Sequence, residues 1–334
     1  MGTDVRLDVK EDSQDTPQVE LGRNFANKLW NAGRFLLMKS EAAGAGDAAI
    51  LAEDERSAAD LWILSRYHSA MKTIYTALDN YRLNEYSKAV YDLVWRDFCD
   101  WYVEIFKVVF AANEDSGYRK RLSNFGLQIF DGILRLLHPL MPFITEELWQ
   151  NLVPRSEGEY LCTAQLPALH AENTDSVIEL EFALLQEVVE EIRRSRGAAN
   201  IPPGERIPVM ISAGDSTLAE FFTSQSGAIA ALARCNPLAG VNLPKPEQAL
   251  ASVVRGVSVY VVRGESFDRE KEITRLNKEV ERLGRLMRSF SAKLGNPGFL
   301  AKAKPEVIQA EQEKLLGVSD ALEKVLESLR ALNG

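Results

Sequence analysis

Cysteine and histidine are scarce in this chain. Its three cysteines, Cys99, Cys162 and Cys235, stand far apart in 334 residues, odd in number and without a Cys-x-x-Cys spacing. That argues against a structural zinc site and for a reducing compartment. The three histidines are His68, His138 and His170, and no Ser-His-Asp or Cys-His constellation can be argued from the sequence. No apolar run approaches the roughly 20 residues of a membrane span. The opening "MGTDVRLDVKEDSQD" is polar and acidic, unlike a signal peptide. Arg6 stands where a myristoylation signal needs Ser or Thr. No membrane partner and a cytoplasmic location are therefore expected. Positive charge is also short, with 39 Lys and Arg against 48 Asp and Glu, a net charge of −9. Any nucleic-acid site must be a local patch on an acidic background. A phosphate loop is lacking as well, since "GAGD" near residue 46 has no following Lys-Ser and no flanking strand. The neighbouring pairs Glu146-Glu147 and Glu190-Glu191 point different ways on a helix and read as structural or solvated.

What is present is ordinary globular composition, 46% hydrophobic and 26% charged. The pattern predicts a mainly α chain. Residues 18–152 read as an antiparallel helical bundle after a junction at 1–17, with Trp62, Trp95, Trp101 and Trp149 as core. "EYSKAVYDLVWRDFCDWYVEIFKVVF" reads as one helix, and a later one stops before Pro139 with another starting near Pro142. A Pro- and Gly-containing connector, 153–172, leads to a small mixed α/β unit at 173–265. There "DSTLAEFFTSQSGAIAALAR" reads as a helix and "SVVRGVSVYVV" as strand-like. Residues 266–334 read as an antiparallel coiled-coil hairpin, two heptad seams joined by the breaker "GNPGF".

One helix carries an unusual outer face. In "GRNFANKLWNAGRFLL", at about 100° per residue, Phe25, Leu29, Ala32, Gly33 and Leu36 share one side, widened by Ala26, Trp30 and Leu37. Asn24, Asn27 and Asn31 gather opposite, with Lys28 beside them, Phe35 amid them, and Arg23 and Arg34 flanking. Asparagine is a mediocre helix former, because its amide competes for nearby backbone groups. Amides, guanidiniums and one aromatic suit unstacked bases, which they can read, hold and stack. The plainer alternative is a solvated face with Phe35 tucked against a neighbouring helix.

The hairpin's charge is lopsided. Residues 275–304 hold Arg275, Lys278, Arg282, Arg285, Arg288, Lys293, Lys302 and Lys304 against Glu279 and Glu281, a net +6. Residues 305–334 net −3. A basic strand on an acidic protein suits a phosphate backbone. Cross-strand pairing with Glu311, Glu313 and Glu323 is the alternative.

Four segments together resemble the C-terminal part of the valyl-tRNA synthetase family. They are "DVRLD" with the Asn helix, "HPLMPFITEELW", "RSRGAANIPPGERIPV" and "LGNPGFLAKAKPEVIQAEQEKL". The resemblance covers nearly the whole chain. It implies an anticodon-binding bundle, a small α/β unit and a tRNA-binding arm, expected to act as a monomer on valine tRNA. It assigns Arg23, Asn24, Asn27, Lys28, Asn31, Arg34 and Phe35 to the anticodon, and the eight basic residues of 275–304 to the tRNA body. The family's His-x-Gly-His and Lys-Met-Ser-Lys-Ser motifs are absent from this sequence. The chain is thus expected to carry tRNA recognition with no catalytic residue, metal or cofactor of its own, ATP and magnesium acting elsewhere in a full enzyme. A stand-alone tRNA-binding paralogue and a coiled-coil interaction scaffold remain as alternatives.

Overall fold

A computed structural model describes residues 17–44, 49–247, 249–262, 269–295 and 305–333. The bundle is built from α1 (Pro17–Ala43), α2 (Ala58–Asp79), α3 (Leu83–Asp92), a π-helix (Leu93–Tyr102), α4 (Val103–Ala112), α5 (Ser116–Leu137) and α6 (Pro142–Leu152). Capping chemistry sets several of these ends. Ser57 and Asp60 exchange hydrogen bonds in a capping box at the start of α2. Asp115 caps α5 by accepting from the Gly117 N–H, and Pro142 opens α6. Trp62, Trp101 and Trp149 are buried to 2%, 8% and 1% exposure as the spacing predicts, whereas Trp95 is only half-buried at the margin of the core.

The single helix expected over "EYSKAVYDLVWRDFCDWYVEIFKVVF" is one continuous rod with a widened middle. Val90, Val94, Phe98, Tyr102, Phe106 and Phe110 are all buried and recur every four residues. In an α-helix, four residues overshoot a full turn by about 40°. Five such steps would wind the apolar stripe halfway round the rod. The π-helix turns less per residue, which draws the stripe back onto one side.

Trp30, expected to widen the buried face of α1, is 40% exposed. It stands at the edge of that face, on the border with the polar stripe.

After 3-10 turns at Leu161–Thr163 and Ala171–Asn173 comes α7 (Ser176–Ala198). Asp175 caps it, accepting from Val177 and Ile178. On one side α7 stacks Phe182 on Trp62 of α2, with ring centroids 4.6 Å apart and 10° between planes. On the other it packs against the sheet. The sheet runs in the order β2-β1-β4-β3, from β1 (Ile207–Ala213), β2 (Cys235–Val241), β3 (Ala249–Val254) and β4 (Val257–Val262). β1 and β2 are parallel, joined across α8 (Ser216–Ser224) and α9 (Ser226–Ala233); the other pairings are antiparallel. The one helix expected over 215–234 is thus two, because Gln225, at φ −91° and ψ 6°, leaves helical geometry. "SVVRGVSVYVV", strand-like in the sequence, forms a hairpin of β3 and β4. Arg255 and Gly256 turn it with φ of 44° and 86°, the paired positive values a two-residue hairpin loop needs.

Arg196, 6% exposed, ties this unit together. Its guanidinium donates to the carbonyls of Pro202, Glu205 and Arg234, at 3.0, 2.7 and 2.7 Å. The arm is α10 (Arg269–Leu294) packed along α11 (Pro305–Asn333). Leu283, 3% exposed, lies in its seam.

Candidate nucleic-acid interface

α1 presents its outer face as a polar stripe. Arg23, Asn24, Asn27, Asn31 and Arg34 are all exposed on it. So are Trp30 at 40% and Met38 at 51%. Sequence reasoning placed Trp30 with the core and passed over Met38. The signal for Trp30 was its position at the very edge of the apolar arc, next to Arg23 and Arg34.

Lys28 and Phe35 lie on the flank of this stripe, where α1 meets the rod formed by α3, the π-helix and α4. Lys28 is half-buried. Its Nζ sits 3.6 Å from the centroid of Trp95 and donates to Asp100 Oδ1 at 2.5 Å. The ammonium is therefore fixed in place by a ring and a carboxylate. Phe35 is also half-buried and perpendicular to Phe106, with centroids 6.0 Å apart. Two cations overlook its ring, Lys39 at 5.7 Å and Lys107 at 5.2 Å. The ring thus packs perpendicular to Phe106 while lying among positive charges at the surface.

The two buried cysteines are not poised for covalent chemistry. Burial pushes the Cys99 thiol up to about 12 and the Cys235 thiol up to about 11, far from the thiolate form a nucleophile needs. His68 is 4% exposed, and burial followed by the neighbouring His170 lowers its pKa to about 4. Its Nδ1 accepts the His170 backbone N–H at 3.2 Å, and the Asn173 amide lies 3.1 Å from Nε2. Both ring nitrogens thus fasten the connector to α2. Among the described residues no group of three or more His, Cys, Asp or Glu is placed to hold a metal ion.

On the arm, Lys278, Arg282, Arg285 and Arg288 are exposed along α10. Arg288 Nε donates to the Gly284 carbonyl one turn back, at 3.2 Å. Lys293 reaches across to Glu311 of α11 at 3.1 Å, and Lys314 meets the same carboxylate at 3.0 Å. Lys293 therefore takes part in cross-strand pairing. Arg275 lies on α10 with its side chain outside the described residues. Lys302 and Lys304 lie outside them altogether.

No helix among the described residues is long and apolar enough to cross a membrane.

Comparison with known proteins gives these surfaces their context. Residues 60–211 match the anticodon-binding domain of tRNA ligases, and residues 268–333 match the valyl-tRNA synthetase tRNA-binding arm. The first match begins after α1 and ends inside β1, so it includes α7 with the bundle. Matches to whole proteins take in α1 as well. The valine–tRNA ligase of Thermosynechococcus vestitus is 36% identical over 99% of this chain and 36% of its own length. That of Carboxydothermus hydrogenoformans is 39% identical over 88% of this chain and 33% of its own. That of Bacillus subtilis is 32% identical over 94% and 36%. The chain spans about a third of the length of the curated relatives it matches. With both tRNA-related regions matched in order on the expected architecture, the chain is similar over nearly its whole length to the C-terminal portion of valyl-tRNA synthetases.

Proposed function

We propose that this chain is the tRNA-recognition portion of a valine–tRNA ligase, reading the anticodon with α1 and holding the tRNA body with the arm. The observation that carries the reading is the α1 stripe, three exposed asparagines between two exposed arginines, on a chain matched end to end by valine–tRNA ligases. Amide groups can discriminate the Watson–Crick edges of unstacked bases, and arginine and lysine neutralise the flanking phosphates. Phe35, with Lys39 and Lys107 over it, supplies a stacking surface within the same patch. Lys28 contributes a fixed charge rather than a searching one. On this reading, ATP- and magnesium-dependent activation of valine belongs to the portion of the relatives that this chain does not match.

The test is binding of the full chain to valine tRNA and to the same tRNA with a replaced anticodon. The native anticodon should be preferred, and Asn27→Ala or Asn31→Ala should shrink that preference more than the affinity. Phe35→Ala should weaken binding by about 1–3 kcal/mol through lost stacking. Equal binding of both tRNAs by the wild-type chain would overturn the assignment of α1 to the anticodon. The same chain should show no valine-dependent exchange of pyrophosphate into ATP, and exchange above background would contradict the division of labour.

A further inference from the structure

α1 does not meet the α3–π–α4 rod as an ordinary helix pair. Contacts advance together along both elements. Phe25 faces Tyr91 and Trp95, Lys28 faces Trp95 and Asp100, Phe35 faces Phe106, and Lys39 faces Phe110. The two elements therefore run in the same direction, with a seam between them that borders the α1 stripe along its length.

Two aromatic tiers mark that seam. One is the Phe35 tier already described. The other is a set of near-parallel rings. Tyr91 and Phe25 lie 5.4 Å apart at 22°, Phe25 and Trp95 6.1 Å apart at 15°, and Tyr91 and Trp95 5.9 Å apart at 10°. Phe25 is buried at 7%, while Tyr91 is 40% exposed. The three centroids form a triangle rather than a column, and Tyr91 is the most exposed of its members, with part of its surface left open to solvent. Lys28, held by Asp100, lies over Trp95 in the same tier. The tier thus combines a part-exposed ring with an ammonium held in place by Asp100, the two kinds of group that a sequence-tolerant base platform uses.

We propose that this tier is a second nucleobase subsite, in which an unstacked base of a single-stranded RNA loop lies on Tyr91. It rests on the tRNA reading above and deepens it. Phe25 and Phe35 are ten residues apart on α1, a rise of about 15 Å. At the ~3.4 Å rise of a stacked strand, that separates the two tiers by about four bases. The seam is then a two-ended cradle for an anticodon loop, with the asparagine stripe between its ends. The π-helix belongs to the device, because it carries both Trp95 and Asp100 toward Lys28.

The experiment places 2-aminopurine at successive loop positions of an anticodon stem-loop from valine tRNA and titrates each with the full chain. Tyr91→Leu keeps an apolar contact for Phe25 but removes the aromatic face, and it should weaken binding about tenfold. Tyr91→Phe should bind within about twofold of wild type, since stacking needs the ring and not the hydroxyl. Tyr91→Leu should abolish the fluorescence change at one loop position, and Phe35→Leu at a different one a few nucleotides away. The position of the lost signal is a readout that a packing role would not move. Unchanged affinity and an unchanged fluorescence map in Tyr91→Leu would overturn the subsite while leaving the tRNA reading intact. So would loss at the same nucleotide in both variants. If the wild-type chain binds no stem-loop at any position, the tRNA reading itself fails and the subsite falls with it.

Discussion

Gly132 on α5 sits where no side chain fits. A Cβ there would lie 1.8 Å from the Tyr67 hydroxyl oxygen and 2.6 Å from its ring carbon. Gly132→Ala is therefore expected to lower stability by about 1–3 kcal/mol, the usual cost of overpacking, and a thermal melt of the purified variant checks it. His68 offers a second handle at this scale. Burial and His170 hold its pKa down at about 4, against the ordinary 6.5. Above pH 6.5 it is neutral in both folded and unfolded chains. Below that the unfolded chain takes up a proton that the folded chain refuses, so stability falls as the pH drops from about 6.5 to about 4. The slope cannot exceed about 1.4 kcal/mol per pH unit for one proton. Protonation would turn Nδ1 from the acceptor of the His170 N–H into a competing donor. A urea-denaturation series over this window should show the decline, and His68→Asn should flatten it. Little of this was legible beforehand. His68 shares an apolar helix face in the sequence, but the partners that fix its protonation come from a connector about 100 residues away, which no local pattern reveals.

The elements that were legible are those whose signal is local. α5 ends and α6 begins where Pro139 and Pro142 demand it, and the arm's two seams follow from their heptads. The π-helix was hidden because the whole segment reads as a single helix of ordinary pitch. A strict fourfold recurrence from Val90 to Phe110 is the signal that could have exposed it. The double role of α7 was hidden for a different reason, since both its faces are apolar and neither names its partner. The contact that anchors it to α2 is polar as well as aromatic. Glu179 accepts hydrogen bonds from Ser65 at 2.6 Å, Ser69 at 2.9 Å and Arg66 at 2.9 Å, and Arg66 also donates to Asp97 of the π-helix at 2.9 Å. Burial would raise the Glu179 pKa, but those hydrogen bonds outweigh it and hold it below the usual value. Its contribution is then present above about pH 4.5 and is lost as acid titrates the carboxylate in the folded chain. Glu179→Gln should cost about 1.5–3 kcal/mol, the range for hydrogen bonds to a charged group. Chemical denaturation at pH 7 measures it, and the gap to wild type should narrow at low pH.

For the whole molecule, the acidic balance of −9 makes the basic strand of α10 the natural site of counterion release. If Arg285 and Arg288 touch phosphates, reversing both to Glu should weaken binding of full-length tRNA. It should also flatten the slope of log affinity against log salt by about 0.7–0.9 for each phosphate no longer neutralised. Preference among anticodons should stay the same, because phosphates position a complex without specifying it. Among the described residues neither arginine is ion-paired across the hairpin as Lys293 is with Glu311, so the arm's melting temperature should barely move. A lower melting temperature with an unchanged slope would assign those charges to folding. The charge asymmetry was visible in the sequence. Which cation pairs with which carboxylate depends on the register of α10 against α11, and that required the three-dimensional arrangement.

The position of α7 has one more consequence. Because it stacks on Trp62 and also backs the sheet, the bundle and the α/β unit share one apolar interior. Opening either unit alone would bare Phe182 or Trp62 to water. The slowest-exchanging backbone amides of α2, α7 and β4 should therefore exchange deuterium with a common free energy, in one cooperative block. A protease cutting within the connector should leave two fragments that stay bound to each other under native conditions. Either fragment expressed alone should be prone to self-association through the face that α7 otherwise covers.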